Sequence, residues 1–435
     1  MRPLRPIKNW GKTFEYTPKE LYYPASLDEL ILILQKCSFE EKKIRPMGSR
    51  YSYTPLISSD DVALSLDKFS GIEEINKDEM TVTVLGGTKI ADLERELFIN
   101  DLSLINLGDI NQQTIAGLIA TGSHGTGLSF GIASTQIVWM QIITPRGEVI
   151  ECSETKNYEI FKAAQVSLGC LGIISKVKIK VLPKYYMYQE RNLVVFDEAL
   201  DNLLDSFINN RNYEFFWFPY TEYVFEKKHN ISSKIQTNKK IKKFVNDYVL
   251  ENGALWLLCE MSRNTPGFYK KHINSILKKL NSNMCGTIPS TECYATKRLV
   301  NHSEIEYAIP IAHATNVLNI IRDLLNHHWQ QISFPIEVRS VATDNIYLSP
   351  NCGRNTVWIA VHAYTKDAYK EVFQEVEKIF LNHQGKPHWG KLHWLDHDKI
   401  NKLYPHLSKF NAIRKQLDPT GRLLNPYLSN LLGVK

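Results

Sequence analysis

Cysteine is scarce and unpatterned in this 435-residue chain. The seven cysteines, at 37, 152, 170, 259, 285, 293 and 352, are odd in number and never spaced as Cys-x-x-Cys. That argues against a disulfide framework and a cysteine-based zinc site, and it suits a reducing compartment. Long apolar runs are missing too. Stretches such as Ala254–Cys259 fall far short of the roughly 20 residues a membrane-spanning helix needs. Met1–Tyr16 has basic residues but no apolar core, so it does not read as a secretory signal. The expectation is a soluble, cytoplasmic protein. No repeat of fixed period and no low-complexity tract stands out. Neither sign of charge dominates, since 52 Lys and Arg against 46 Asp and Glu leave +6. The densest basic run, Lys239–Lys240 with Lys242–Lys243 beside Lys227–Lys228, lacks the interleaved aromatics and motif of a nucleic-acid binder and reads as a solvated face.

What the chain does hold is apolar and aromatic surface. With 43% hydrophobic residues, 21 Tyr, 18 Phe and 8 Trp, it can bury a large interior, and its length implies two or more domains. Ser26–Gln35 reads as a helix with a Ser cap and early acids, and Lys43–Met47 as a strand running into a turn at Gly48. Met80–Leu85 alternates as a strand, Lys89–Phe98 is an amphipathic helix, Ile137–Thr144 a strand, Tyr158–Ala164 a short helix and Ile173–Leu182 an alternating strand stopped by Pro183. Beyond 183 the composition shifts to aromatic strands (Glu214–Pro219, Val357–Ala363) and longer helices (Val317–Asn326, Ala368–Leu381), and Ile400–Tyr427 looks helical before a turn at Asp418–Gly421. The pattern is α+β, with antiparallel sheets favoured over a doubly wound parallel one.

Three glycine loops crowd the first 180 or so residues. Gln113–Gly127 (QTIAGLIATGSHGTG) carries Gly117, Gly122, Gly125 and Gly127 among hydroxyls from Thr121, Ser123 and Thr126. It is neither a Walker loop, since no Gly-Lys-Ser/Thr follows it, nor a GxGxxG fingerprint. By spacing alone it is either a main-chain nest for a pyrophosphate or a plain turn between a helix and a strand. Pro46–Tyr53 places Gly48, Ser49 and Arg50 straight after a strand, where amides and a guanidinium suit a phosphate. Leu168–Ile173 is the third. Three loops together point to a large cofactor wrapped by this part of the chain.

The motifs GSRYSY (48–53), QTIAGLIATGSHGTG (113–127) and LGIISKV (171–177) resemble the FAD-binding, PCMH-type domain of the vanillyl-alcohol oxidase superfamily. The likeness is to its sugar-lactone and alditol oxidases, of the D-arabinono-1,4-lactone oxidase type. It extends through Phe216–Tyr220, Glu337–Arg339, Pro387–Lys391 and Asp418–Asn425, in that family's order, and so covers about residues 10–430. It implies a two-subdomain FAD-binding domain over 1–183, a cap domain with an antiparallel sheet flanked by helices over 184–410, and a segment, 411–435, returning to the FAD domain. The cofactor set implied is Pro46, Gly48, Ser49, Arg50, Tyr51 and Ser52 from the first loop, and Thr114, Gly117, Thr121, Gly122, Ser123, His124, Gly125 and Thr126 from the second. Gly172, Ile173, Ile174 and Asn425 complete it. One departure stands out. The family commonly presents a flavin-linking histidine in the first loop, and here that position is Tyr51. FAD is therefore expected to bind noncovalently, and His124 is not taken as a substitute anchor.

Glu337 and Arg339 point to one face of a strand. Such a pair is either an ordinary salt bridge or, as the resemblance implies, a substrate contact in which Arg339 donates to hydroxyls or a lactone carbonyl and Glu337 accepts. The resemblance also puts Lys391 near the flavin, where a cation stabilises the reduced, anionic form. Either His388 or Lys391 is open as the acceptor of the substrate's hydroxyl proton. His393, His397 and His406 show no accompanying carboxylate pattern, so no metal is expected. The reaction expected is hydride transfer from a CH–OH group of an alditol or aldono-1,4-lactone to flavin N5, with O₂ or another carrier as final acceptor. The other readings are an epimerase-type or reductase flavoprotein of the same superfamily, and a non-catalytic flavin-binding protein.

Overall fold

The computed structural model describes residues 4–232, 252–280, 284–295, 298–328, 332 and 334–434; the basic run at 239–243 lies outside them. Near the start, Glu20–Tyr22, Val62–Ser65 and Ile44–Met47 form a small parallel sheet with Val62–Ser65 in the middle. This is the exception to the antiparallel expectation. The helix Leu27–Phe39 supplies the crossover between two of its strands, and Ser26 caps that helix by accepting from the Glu29 amide.

A second, antiparallel sheet runs in the order Val149–Ser153, Ile137–Ile143, Ile173–Pro183, Thr81–Leu85 and Ile72–Asn76, with Leu102–Leu104 added to the far end of Ile173–Pro183. The alternation in Ile173–Pro183 buries Ile173, Val177, Ile179 and Val181 while Lys178 and Lys180 stay at or near the surface.

The third sheet has eight strands. Their order is Met284–Pro289, Tyr186–Val195, Tyr223–Ser232, Asn212–Trp217, Ile336–Val341, Thr356–Tyr364, His302–Pro310 and Lys386–Pro387, and every pairing is antiparallel. Helices 314–328 and 370–382 pack on one face through Val317, Ile321, Phe373 and Val376, against Phe215, Ile305, Val338 and Ile359. The opposite face of the central strands carries Glu214, His302, Glu304, Glu306, Glu337 and Arg339, all buried. That polar face is what the fold positions against the glycine loops. The predicted helix near 400–427 resolves into three, His397–Leu403, Leu407–Leu417 and Pro426–Leu432. Their apolar sides join the core of the first two sheets, where Leu423, Leu428 and Leu432 share a cluster with Val82 and Ile142. No described helix is long and apolar enough to cross a membrane.

Candidate active site

Two clefts lie end to end between the glycine loops and the large sheet. The first, with about 850 Å³ of space open to solvent, is walled by all three loops. Pro46, Gly48, Ser49 and Arg50 come from one, Thr114, Gly117 and Thr121 from another, and Gly172, Ile173 and Ile174 from the third. Arg50 holds a left-handed backbone, φ 63°, which turns the chain sharply after Ser49. The Ser49 hydroxyl is buried with no hydrogen-bond partner. An orphaned donor on the wall of such a cleft fits a phosphate oxygen, and so the residues present fit a dinucleotide cofactor.

The frame behind this cleft is Arg45, which the sequence reading missed. Its guanidinium is buried and donates to the carbonyls of Leu56 (2.9 Å), Gly169 (2.8 Å), Leu168 (2.9 Å) and Leu423. One cation thus ties the strand before the first loop to the third loop and to the C-terminal segment. Burial lowers it to about 10, still a cation at neutral pH.

The second cleft, with about 920 Å³, meets the first at Tyr51, Ser52, Gln113 and Thr121. Tyr51 stands at this junction with its ring stacked 5.9 Å from Trp10. Ser123, His124, Glu337, Arg339, His388 and Lys391 all line this cleft. Four expected cofactor contacts line neither. Gly122 holds φ 68°, a reason for glycine that needs no ligand, and a Cβ on Gly125 would strike the Leu107 carbonyl. Thr126 is spent on the large sheet, donating to the Tyr213 carbonyl and accepting from the Ser340 amide at 3.3 Å. Asn425 caps the last helix at the Leu428 amide (2.9 Å) and donates to the carbonyls of Pro55 (2.8 Å) and Ser58 (3.0 Å), so it holds the loop that follows the first glycine turn.

The strand His302–Pro310 brings in groups that were not singled out from sequence. His302, Glu304 and Glu306 sit two apart on its cleft side, with Ser303, Ile305 and Tyr307 on the other. Their signal was the alternation in HSEIEYAIP, which by itself resembles a half-exposed strand. Glu304 pairs with Lys391 and faces His302 and His362. Burial alone would raise it, but the Lys391 ammonium holds it well below the carboxylate range. Glu306 is likewise opposed by burial, yet His124, 3.2 Å away, keeps it down to about 2. The other nitrogen of His124 reaches the Gly125 carbonyl at 2.8 Å, so both of its ring positions are engaged.

Arg339 is not free for substrate in the expected way. It bonds to Glu337 and Asp109 through Nη2 and to Glu214 through Nε at 3.1 Å. Arg298 adds a second guanidinium at Asp109, 2.6 Å away. Among these three carboxylates burial drives Glu337 well up, with Asp109 and Glu214 adding to it and Arg339 opposing. Arg339 and Arg298 overcome burial at Asp109 and hold it down. His388 also departs from expectation. Its Nδ1 accepts from the Gly390 amide at 3.0 Å, which leaves the ring proton on Nε2, and burial drives it down to about 3. Its free ring position is therefore a donor and not an acceptor.

The histidines at 393, 397 and 406 each have their own protein contact. His393 meets the Tyr427 hydroxyl at 2.9 Å, His397 the Leu431 carbonyl at 3.3 Å, and His406 packs 5.1 Å from the Tyr347 ring.

Comparison with known proteins agrees with this geometry. A profile of an FAD-binding domain matches residues 18–153, and one described as D-arabinono-1,4-lactone oxidase matches residues 177–431. The chain is 33% identical over 435 residues to an L-gulono-1,4-lactone dehydrogenase of Mycobacterium tuberculosis, covering 99% of this chain and 100% of that protein. It is 31% identical to an L-gulonolactone oxidase of Mus musculus, with 98% of both covered. Among solved structures, a cholesterol oxidase from B. sterolicum superposes with a TM-score of 0.80 over 98% of this chain and 96% of that one; at 16% identity this shows the fold alone. An FAD-binding domain, an oxidase-type second half and relatives matched from end to end place the chain in the D-arabinono-1,4-lactone oxidase family of FAD-dependent oxidoreductases.

Proposed function

We propose that this chain oxidises a CH–OH group of an aldono-1,4-lactone or alditol and passes the electrons to O₂ or another carrier. The observation that carries the reading is the continuity of the two clefts at Tyr51 and Thr121. One end offers glycine loops and an orphaned Ser49 hydroxyl, and the other offers paired carboxylates, imidazoles and Lys391. When bound, FAD supplies a hydride acceptor at flavin N5.

In this reading residues 1–183 hold the cofactor, 184–410 cover the substrate, and 411–435 return to the cofactor side, as the packing of Leu423 and Leu428 beside Val82 supports. Ser49, Arg50 and Thr114 face the phosphates. Lys391, anchored by Glu304, supplies positive charge beside the flavin. Glu337 and the Arg339 that it touches meet substrate oxygens as one unit. The hydroxyl proton passes to the group built from Glu304, His302 and His362, which lines the same cleft, because His388 and Lys391 are both arranged as donors.

FAD is held without a covalent bond: Tyr51 occupies the family's linking position and both His124 nitrogens are engaged. None of the seven cysteines forms a disulfide and five of them are buried, which suits a cytoplasmic setting. The test is anaerobic titration of the yellow protein with L-gulono-1,4-lactone, D-arabinono-1,4-lactone and a simple alditol, followed at the flavin bands. Bleaching by a lactone or alditol is expected, and mixing the reduced protein with O₂ or a dye then identifies the acceptor. A flavin that none of them bleaches would overturn the reading.

A further inference from the structure

Three largely buried clusters of imidazole or carboxylate groups lie at the second cleft, with all members but Glu214 on its wall: His124–Glu306–His388, Asp109–Glu214–Glu337 and His302–Glu304–His362. In each, the ligand-type atoms lie within 4.8 Å of one another. The positions of protons separate them. In the first, His388 Nδ1 already accepts from the Gly390 amide and His124 hydrogen-bonds Glu306 directly, so no pair of ring lone pairs converges. In the second, two guanidiniums occupy the carboxylates. The third is different.

His302 Nδ1 lies 3.1 Å from the Val300 carbonyl and His362 Nδ1 lies 2.8 Å from the Pro335 carbonyl. A carbonyl oxygen only accepts, so each Nδ1 carries a hydrogen and each neutral ring turns an Nε2 lone pair toward Glu304. The separations, 3.8 Å from His302 to Glu304 Oε2 and 3.7 Å from His362 to Glu304 Oε1, are too long for hydrogen bonds. Two lone pairs and a carboxylate therefore converge with Lys391 as the cation on the Glu304 side. An Nδ1–H held by a backbone carbonyl is also the usual outer support of a metal-binding histidine. A tetrahedral zinc with bonds of about 2.0–2.1 Å sets its ligand atoms roughly 3.3–3.4 Å apart, and the three ligand atoms here lie within 4.8 Å of one another, so the side chains need close by at most about 1.5 Å. Phe334, with its ring 4.9 Å from His302 and 5.8 Å from His362, walls the group on one side.

We propose that His302 Nε2, His362 Nε2 and a Glu304 carboxylate oxygen form a site for a divalent cation of the zinc class, taken up in competition with Lys391. Three protein ligands leave a fourth position for water from the cleft. The ion occupies the acceptor atoms assigned above to the substrate proton and draws Glu304 away from Lys391, so its uptake slows flavin reduction. The inference stands on the placement of these atoms and requires no particular substrate.

The test uses the flavin-bearing protein, treated with chelator and then titrated with Zn²⁺ by calorimetry and with Co²⁺ by its visible bands. One ion per chain is expected. His302→Ala and His362→Ala should each weaken binding at least about a hundredfold, the upper end of what loss of an outer-shell partner costs. Lys391→Met should tighten it at least about tenfold, a gain that misfolding cannot imitate, and flavin absorbance shows whether each variant keeps its cofactor cleft. No uptake, full affinity in His362→Ala, no gain in Lys391→Met, or loss through His388→Ala alone would each overturn the site. Flavin bleaching by lactones is read separately, so the two proposals fail independently.

Discussion

Arg45 donates to the carbonyl of Gly169 across 2.8 Å, joining two glycine loops that are 124 residues apart. The same guanidinium serves the carbonyls of Leu56, Leu168 and Leu423. Arg45→Met keeps much of the volume and removes every donor. A buried acceptor left without its partner costs about 1–3 kcal/mol, so stability should fall by at least about 2 kcal/mol, with earlier loss of flavin on heating. Thermal melts read by protein and by flavin fluorescence check this. A variant that melts with the parent and holds FAD equally well would show that the loops need no such tie.

Glu94 makes the cofactor side sensitive to alkali. It is buried in the helix Ile90–Ile99, and that burial lifts it to about 8, opposed by the Asn111 amide at 3.1 Å. The folded state thus holds a proton that the unfolded chain releases near the ordinary value of 4.5. The contribution is fully present below that value and is lost as pH rises toward about 8. The slope through this window approaches about 1.4 kcal/mol per pH unit. Glu94→Gln should flatten the dependence and stabilise the fold at pH 8. Urea midpoints at several pH values measure it, and an unchanged slope would remove Glu94 as the cause.

How much of this was legible in the sequence follows from what repeats locally. Ser26 announced its helix through one cap, and Ile173–Leu182 announced its strand through alternation, because both signals sit within a few neighbouring residues. The glycine loops were legible for the same reason. Arg45 was not, since its partners lie at 56, 168, 169 and 423 and only the folded chain brings them together. Glu304 and Glu306 were missed because a charged strand face buried against loops has the same pattern as one facing water. Arg339 was found, but its three carboxylate partners come from separate segments, and they alter what it has left to offer a substrate.

Lys391 should matter to the rate more than to the fold. Its Nζ pairs with Glu304 on the wall of the cleft. In the proposed reading, replacing it by Ala removes a fixed positive charge from where reduction builds negative charge, and loss of one such preorganised donor typically costs a few kcal/mol. Anaerobic stopped-flow reduction of Lys391→Ala is expected to be at least about tenfold slower at saturating lactone, while Lys391→Arg, which keeps the charge, retains part of the rate. Unchanged reduction in Lys391→Ala would take the residue out of the site.

Tyr51 stands where the resemblance expects a flavin-linking histidine and gives the most direct chemical test. Its ring stacks on Trp10 where the two clefts meet, so a shorter imidazole in its place would stand at the same junction with a nucleophilic nitrogen. In the parent protein, acid precipitation should release all the FAD into the supernatant. Colour kept in the pellet would reveal a covalent link elsewhere, against the engagement of both His124 nitrogens. Tyr51→His should retain flavin in the pellet and shift its potential upward. If its FAD remains fully extractable while binding is intact, a histidine here is insufficient, and the surrounding wall rather than residue 51 alone sets the mode of attachment.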